Sequence, residues 1–305
     1  GTIIMAFYGN LPFAVAPGIG LTAFFSYSVC LTLGYSWQQA LAAVFLSGIL
    51  FILITVTSIR EKIVDCLPEN LKMAITGGIG LFIALIGLKS GSIIVANPAT
   101  LVGFGSFSNP HTILTLLGIV LMGVLMARKV RGAMLISIII TTLVGIPMGI
   151  TNISGLNILS SPASIAPTFM AFDFKGLLNH NGTGFIGALT SIVMVVLTFS
   201  LVDLFDTIGT LVGTAQKADM ILPDGKIKNM KKALLADAIA TTISSFFGTT
   251  TTATYIESTA GIAEGGRTGL TSLVVGILFA LSIFFGGIVG IVPAEATAPA
   301  LVIIG

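Results

Sequence analysis

Apolar runs of about twenty residues recur along this chain, and a run of that length in an α-helix spans the hydrocarbon core of a bilayer. Only 9% of the residues are charged, whereas soluble domains carry about 25%. The sequence therefore predicts an all-α, multi-pass protein of the cell membrane and excludes a soluble globule. We place the spans at 10–33, 37–58, 71–88, 111–127, 132–149, 184–214, 233–247, 248–266 and 268–292, with incomplete spans at 1–9 and from 296 onward.

The positions of lysine and arginine give the orientation of these spans. If the loop at 59–72 is cytoplasmic, alternation makes 128–131, 215–232 and 267 cytoplasmic as well. All of the 14 basic residues except Lys89 and Lys175 then lie inside, as membrane proteins prefer. The formal charge of +2 is too small to indicate a nucleic-acid partner.

One predicted span, at 248–266, is interrupted and carries an acid. Thr249 to Thr252 favour extended backbone, and the residues after Glu257 favour a short helix that Gly265 and Gly266 end. An ionisable side chain within a span costs free energy, so its default interpretation is a substrate or ion site. Exposed peptide groups within a span also need cover from protein or a cavity.

A second interrupted span lies at 10–25, where Pro12, Pro17, Gly18 and Gly20 disfavour a continuous helix. We expect an extended piece that leads into a half-helix near Thr22. Two such spans of opposite direction are typical of an inverted-repeat transporter, with free helix N-termini near the site. The alternative is a pair of kinked helices packed through glycine and proline.

Three further acids lie in the other predicted spans. Asp203 and Asp206 are three residues apart and share roughly one helical face, and keeping both charged so close together is costly. Asp237 is interpreted as a hydrogen-bonded structural residue, with a direct ligand as the alternative.

The remaining polar residues give weaker signals. We interpret Cys30 and Cys66 as structural residues without a disulfide, and His111 and His180 as solvated or capping residues rather than metal ligands. Glu264 and Arg267, three residues apart, are predicted to pair as a structural clamp, with a moving gate contact as the alternative.

The strings APGIGLTAFF, LVDLFDTIGTL and TYIESTAGIAEGGRTGLTS resemble the AzgA-type adenine/guanine/hypoxanthine permeases of the nucleobase transporter superfamily. The resemblance covers essentially the whole chain and implies a uracil-permease-like fold of two inverted seven-span repeats. The chain would then be an internal fragment, truncated at both ends. The implied domains are a core domain at 1–60 and 184–292, a gate domain at 61–150 and 293–305, and an extracellular connector at 151–183.

The same resemblance implies the site. Asp206 and Glu257 match the two carboxylates that hold the base, and with Asp203 they are the candidates for proton coupling. Thr22 stands where the family motif usually has asparagine, which leaves the preferred purine open. The other substrate-binding candidates are Ala23, Ile256 and Ser258, and Phe24, Phe25, Phe205 and Tyr255 are candidates for stacking on the base.

The resemblance implies proton-coupled uptake of purines across a lipid bilayer, without a cofactor. It leaves open whether the protein forms a homodimer. Two alternatives remain. The same fold could carry uracil, xanthine or an anion, although none of the 14 basic residues is predicted at mid-depth in the membrane. A membrane-embedded hydrolase could instead use Asp203 and Asp206 as an acid pair.

Overall fold

The computed structural model describes residues 1–57, 68–153, 159–162, 164–179, 184–221 and 227–305. Cys66 and His180 lie outside these residues, so the expectations for them stay predictions. The helices are α1 Thr2–Ile4, α2 Ile19–Ala23, α3 Trp37–Val56, α4 Glu69–Ser90, α5 Pro110–Ala127, α6 Ala133–Gly145, α7 Phe174–Asn179, α8 Gly184–Lys217, α9 Met230–Phe246, α10 Ser258–Ala263, α11 Gly269–Ser282, α12 Gly286–Val289 and α13 Ala294–Ile304. The strands are β1 Val15–Pro17, β2 Ile94–Asn97, β3 Leu101–Phe104 and β4 Thr252–Thr254.

The ends of several helices follow from local sequence. Ser36 accepts a hydrogen bond from the Gln39 amide, and the Gln39 side chain accepts from the Ser36 amide. This capping box satisfies donors that the first turn of α3 cannot pair. The Asn109 side chain caps α5 by accepting from the His111 amide, and Pro110 occupies the first position, where its missing N–H costs nothing.

The chain divides into two compact units, one of residues 1–76 and 163–280 and the other of residues 77–162 and 281–305. The sequence-predicted boundaries for the core and gate domains fall at different residues, and the domain roles stay a prediction.

The first unit packs α3 against α8 and α9 through small and hydroxyl-bearing residues. Ser47 on α3 and Ser200 on α8 join their hydroxyls at 2.9 Å in the buried interior. Gly48 on α3 lies against Thr242 on α9, where an added β-carbon would come within 3.0 Å of the Thr242 nitrogen. Small residues allow such close approach, which is the usual basis of helix packing in membranes.

The second unit contains α5, α6 and α13, and His111 and Glu295 link the first and the last of these. His111 Nδ1 lies 2.6 Å from Glu295 Oε1. The His111 side chain is 47% exposed, so its expected solvation is confirmed, whereas its contact with Glu295 was not predicted. Its partner is distant in sequence, so residue spacing could not indicate it.

Large apolar side chains are exposed over both units, such as Leu31, Leu81 and Leu135. Four helical segments of the described residues are long and apolar enough to cross a membrane: Trp37–Val56, Pro110–Ala127, Leu189–Ala215 and Gly269–Val289. The larger number of spans predicted from sequence stays a prediction.

Three features of the backbone were not anticipated from sequence. β2 and β3 form an antiparallel hairpin between α4 and α5, in a region predicted only as a loop. The short helix α7 lies in the predicted connector. The helix that begins with α2 continues as a π-helical stretch at Phe24–Thr32. The chain is thus mainly helical, with two small sheets among its described residues.

The close packing of α3 on α9 predicts a specific sensitivity to volume. Gly48→Ala should lower the free energy of unfolding by about 1–3 kcal/mol, the usual cost of overpacking, because its β-carbon meets Thr242 backbone. Thermal unfolding of the purified protein in detergent measures this.

Gly123→Ala on α5 is the matched control, because no atom lies within 4 Å of its added β-carbon. Alanine has the better helix propensity, so this variant should unfold at an unchanged or higher temperature. Equal destabilisation by the two variants would contradict the packing described for α3.

Candidate functional site

The candidate site is built from two segments of the first unit that change from strand to helix. In the first segment β1 is followed by Gly18, whose extended backbone caps α2. In the second, β4 is followed by a turn and then by α10. The interrupted spans predicted from sequence are therefore present as strand and short helix, and neither is a continuous kinked helix.

The two segments meet through their strands. β1 and β4 pair antiparallel, with Val15 opposite Thr254, Ala16 opposite Ala253 and Pro17 opposite Thr252. Two hydrogen bonds extend the pairing, from the Tyr255 amide to the Ala14 carbonyl at 2.9 Å and from the Gly18 amide to the Thr251 carbonyl at 3.4 Å. The backbone groups left by the interruption thus find partners in the opposite segment.

Side chains add two further ties between the segments. The Tyr255 hydroxyl donates to the Pro17 carbonyl at 2.6 Å, and the Ala14 amide donates to the Ser258 hydroxyl oxygen at 2.9 Å. Tyr255 and Ser258 were predicted to contact substrate. In this structure their polar atoms hold the two segments together, and their contact with substrate stays a prediction.

The two predicted carboxylates lie beside the paired strands β1 and β4, which we call the crossing. A β-carbon on Gly18 would lie 3.3 Å from Oδ2 of Asp206, so the Asp206 carboxylate faces the start of α2. Asp206 is close enough to Glu257 and Asp237 for their charges to interact. Both Asp206 and Glu257 are partly exposed.

The other acids of α8 and α9 are fully buried. Asp203 has no exposed surface, although it lies less than one helical turn from Asp206. Asp237 accepts a hydrogen bond from the Thr207 hydroxyl at 2.9 Å. The interpretation of Asp237 as a hydrogen-bonded residue is confirmed, and the role of Asp203 in proton coupling stays a prediction.

Thr22 and Ala23 line an open pocket of about 320 Å³, together with Pro17, Ser26 and Tyr27. Asp206 and Glu257 are not among the described residues that line it. Ser26 and Tyr27 were not identified from sequence, although they follow Thr22 and Ala23 by four residues, the spacing that places residues on one face of a helix.

The aromatic and apolar side chains predicted to contact a base lie in different environments. The rings of Phe24 and Phe25 pack against Phe199, with centroids 5.2 Å and 6.2 Å away, so both contribute to a hydrophobic cluster. Phe205 is half-buried on α8, and Ile256 is exposed before α10. Stacking of any of these side chains on a base stays a prediction.

The basic residue Arg267 has a local role. It donates through Nη1 to the carbonyls of Ile262 and Gly266, which satisfies acceptors at the end of α10. Its predicted pairing with Glu264 stays a prediction. Within the described part of the chain, no group of three or more histidine, cysteine, aspartate or glutamate residues could hold a metal.

The family model Xan_ur_permease, described as a permease family, matches residues 1–305. The chain is 50% identical over 304 residues to the protein MJ0326 of Methanocaldococcus jannaschii. The matched region covers 100% of this chain and 67% of that relative. The chain is 40% identical over 305 residues to the adenine permease AdeP of Escherichia coli K12, covering 100% and 66%. It is 41% identical over 313 residues to the guanine/hypoxanthine permease PbuO of Bacillus subtilis, covering 100% and 69%.

The chain thus spans about two thirds of the length of these relatives. Among solved structures, it is similar to the transmembrane domain of the cyanobacterial bicarbonate transporter BicA. The TM-score is 0.70 at 14% identity, and the match covers 99% of this chain and 78% of that one. At this identity the similarity concerns the fold alone.

The strand pairing at the crossing predicts a specific cross-link. Ala16 and Ala253 are opposite each other in the register, and hydrogen-bonded antiparallel pairs have Cα atoms about 5.5 Å apart, within the range of a disulfide. Ala16→Cys with Ala253→Cys, in a background with serine at Cys30 and Cys66, should form a disulfide on mild oxidation. Proteolysis between the two positions should then leave fragments that separate only after reduction.

Ala14→Cys with Ala253→Cys is the control for register. These positions are offset by two residues, and cysteines with Cα atoms more than about 7 Å apart are not bridged without backbone movement. Cross-linking of the control pair in preference to the paired positions would exclude the observed register.

Proposed function

Because the chain belongs to the Xan_ur_permease family of permeases, we propose that it carries purine nucleobases across the membrane in symport with protons. It is an integral membrane permease and not an enzyme. The names of its relatives, an adenine permease and a guanine/hypoxanthine permease, support purines as the cargo. This family membership argues against the hydrolase alternative for Asp203 and Asp206.

The observation that carries the proposal is the crossing of the two strand-to-helix segments beside Asp206 and Glu257. The Ser258 and Thr259 amides of α10 already donate to carbonyls of the preceding turn. The first amides of α2 have no partner within their helix. Such amides can donate to acceptor atoms of a ligand, and carboxylates can accept from its N–H groups. A purine carries both kinds of group on its edge, so it matches this combination.

The same crossing supports a repeat architecture for the whole protein. We propose two inverted repeats of seven spans each, because the paired segments run in opposite directions and have the same order of strand and helix. The core domain would contain 1–60 and 184–292, and the gate domain 61–150 and 293–305, with 151–183 as the connector. A homodimer stays a prediction.

The charges near the crossing favour a neutral cargo over an anion. Asp206, Glu257 and Asp237 bring three acidic groups close together. The pocket beside Thr22 has no lysine or arginine among the described side chains that line it. An anion would be repelled by such a site, whereas a neutral base needs no net charge to compensate it. An acid that gains a proton on one side and loses it on the other can also couple the two fluxes.

Neutral variants of the two carboxylates should test the proposed contacts with the base. Asp206→Asn or Glu257→Gln should reduce uptake of labelled purine by about 10- to 100-fold, because a hydrogen bond to a charged group contributes about 1.5–3 kcal/mol. The measurement is initial uptake by cells that express the full-length protein, normalised to the amount in the membrane.

Asp219→Asn is the matched control, because Asp219 is exposed in a turn with a φ of 55° that asparagine also adopts. Its uptake should equal that of the wild type. Wild-type uptake by both carboxylate variants would remove Asp206 and Glu257 from the proposed mechanism.

Proton coupling predicts a dependence on the direction of a pH gradient. In proteoliposomes, uptake should exceed equilibration when the outside is more acidic than the lumen, because inward proton flow then drives the base. A protonophore should abolish this accumulation and leave slow equilibration. Accumulation that is insensitive to the gradient would exclude protons as the coupling ion.

A further inference from the structure

The turn between α5 and α6 concentrates positive charge at one end of the second unit. We call residues 128–131 the basic turn, because they include Arg128, Lys129 and Arg131. All three residues are exposed. The backbone of the turn is held in place, since the Lys129 amide donates to the Met126 carbonyl at 2.9 Å. The charged side chains therefore project from a defined turn.

Arg128 and Lys129 have no counter-charge within the described part of the chain. Their side chains form no hydrogen bond or ion pair with any residue that the structure describes. Other basic side chains do have internal partners. Arg267 donates to backbone carbonyls, and the Lys232 ammonium lies 6.0 Å from the centroid of the Tyr8 ring. The charges of Arg128 and Lys129 are thus available to a partner outside the chain.

The composition of the second unit leaves this positive charge without a nearby acid of the same unit. Its only other lysine or arginine is Lys89, and its only acidic residue is Glu295. Glu295 contacts His111, in the first turn of α5. α5 has 18 residues, and at about 1.5 Å per residue it is about 27 Å long. Charges separated by more than about 8 Å are largely screened at physiological salt, so Glu295 does not neutralise the basic turn.

The basic turn lies at the end of a membrane-spanning segment and between exposed apolar side chains. α5 is one of the segments long and apolar enough to cross a membrane, and Arg128 directly follows its last residue. On the two sides of the turn, Val124 and Leu135 are 47% and 63% exposed. Basic side chains at the end of a span reach the level of the lipid headgroups. By the orientation predicted from sequence, these headgroups belong to the cytoplasmic leaflet, which carries the anionic lipids.

We propose that the basic turn is a binding surface for anionic phospholipids of the cytoplasmic leaflet. The Arg128 guanidinium and the Lys129 ammonium donate to phosphate oxygens of the headgroup, and acyl chains of the same lipid lie against Val124 and Leu135. The surface selects an anionic lipid over phosphatidylcholine, because phosphatidylcholine carries its own positive group beside the phosphate. Binding of this kind does not depend on the purine cargo, so it can fail or succeed independently of the proposed transport.

Quenching of a fluorophore beside the basic turn measures which lipid collects there. Leu135→Cys in the full-length protein, with serine at Cys30, Cys66 and any other cysteine, carries the fluorophore in nanodiscs of phosphatidylcholine. Phosphatidylglycerol or phosphatidylcholine with a nitroxide on its acyl chain is added at the same mole fraction. The phosphatidylglycerol quencher should be the more effective of the two, and concentrated salt should reduce its advantage because salt screens the charges.

The variant Arg128→Gln with Lys129→Gln should lower the relative affinity for phosphatidylglycerol about fivefold or more, since each basic residue at an anionic surface contributes about 1 kcal/mol. Arg128→Lys with Lys129→Arg conserves the charge and should keep the wild-type preference. Lys89→Gln with Lys175→Gln is the matched control, because it also removes two charges but at positions that the predicted orientation places on the outer side. It should keep the wild-type preference as well.

Equal quenching by the two lipids beside the wild-type turn would overturn the proposal. A preference for phosphatidylglycerol that the double glutamine variant retains would also overturn it, because the preference would then arise elsewhere in the protein. Thermal unfolding of each variant in the same nanodiscs is measured in parallel, so that loss of charge is separated from loss of structure.

Discussion

The antiparallel pairing of β1 with β4 is the interaction on which the site depends. A segment that is not helical leaves peptide N–H and C=O groups without partners, and hydrocarbon offers none. Here each interrupted segment supplies partners to the other, from Ala14 paired with Tyr255 to Gly18 paired with Thr251. Because neither segment could satisfy its own backbone, the two must be present together, and the short helices that follow them are fixed at one place.

Once this crossing is formed, side chains complete it with short polar contacts. Tyr255 and Ser258 bond to the opposite segment, and Thr22 bonds to Thr250. The two carboxylates, Asp206 and Glu257, stay partly exposed beside these contacts and can act as acceptors. The arrangement suits a neutral molecule with several N–H groups, and this is the physical basis of the proposed purine transport.

Local sequence was sufficient for much of the fold and less so for the site. Glycine and proline correctly indicated both interrupted segments, since these residues restrict or relax the backbone wherever they occur. The long apolar runs located α3, α5 and α8. They did not indicate the β2–β3 hairpin, whose short strands resemble a loop, or the contact of His111 with Glu295, whose partners are far apart in the chain.

The sequence by itself determined that the chain is helical and lies in a membrane, that two of its spans are interrupted, and that few acids are candidates for the site. These properties depend on composition and on neighbouring residues. Only the tertiary structure decided that Asp203 is fully buried while Asp206 faces Gly18. It also decided that the Thr22 hydroxyl contacts the hydroxyl of Thr250, which belongs to a distant segment, in addition to the Gly18 carbonyl. Burial and hydrogen-bond partners depend on residues brought together from distant parts of the chain, which spacing along the chain does not record.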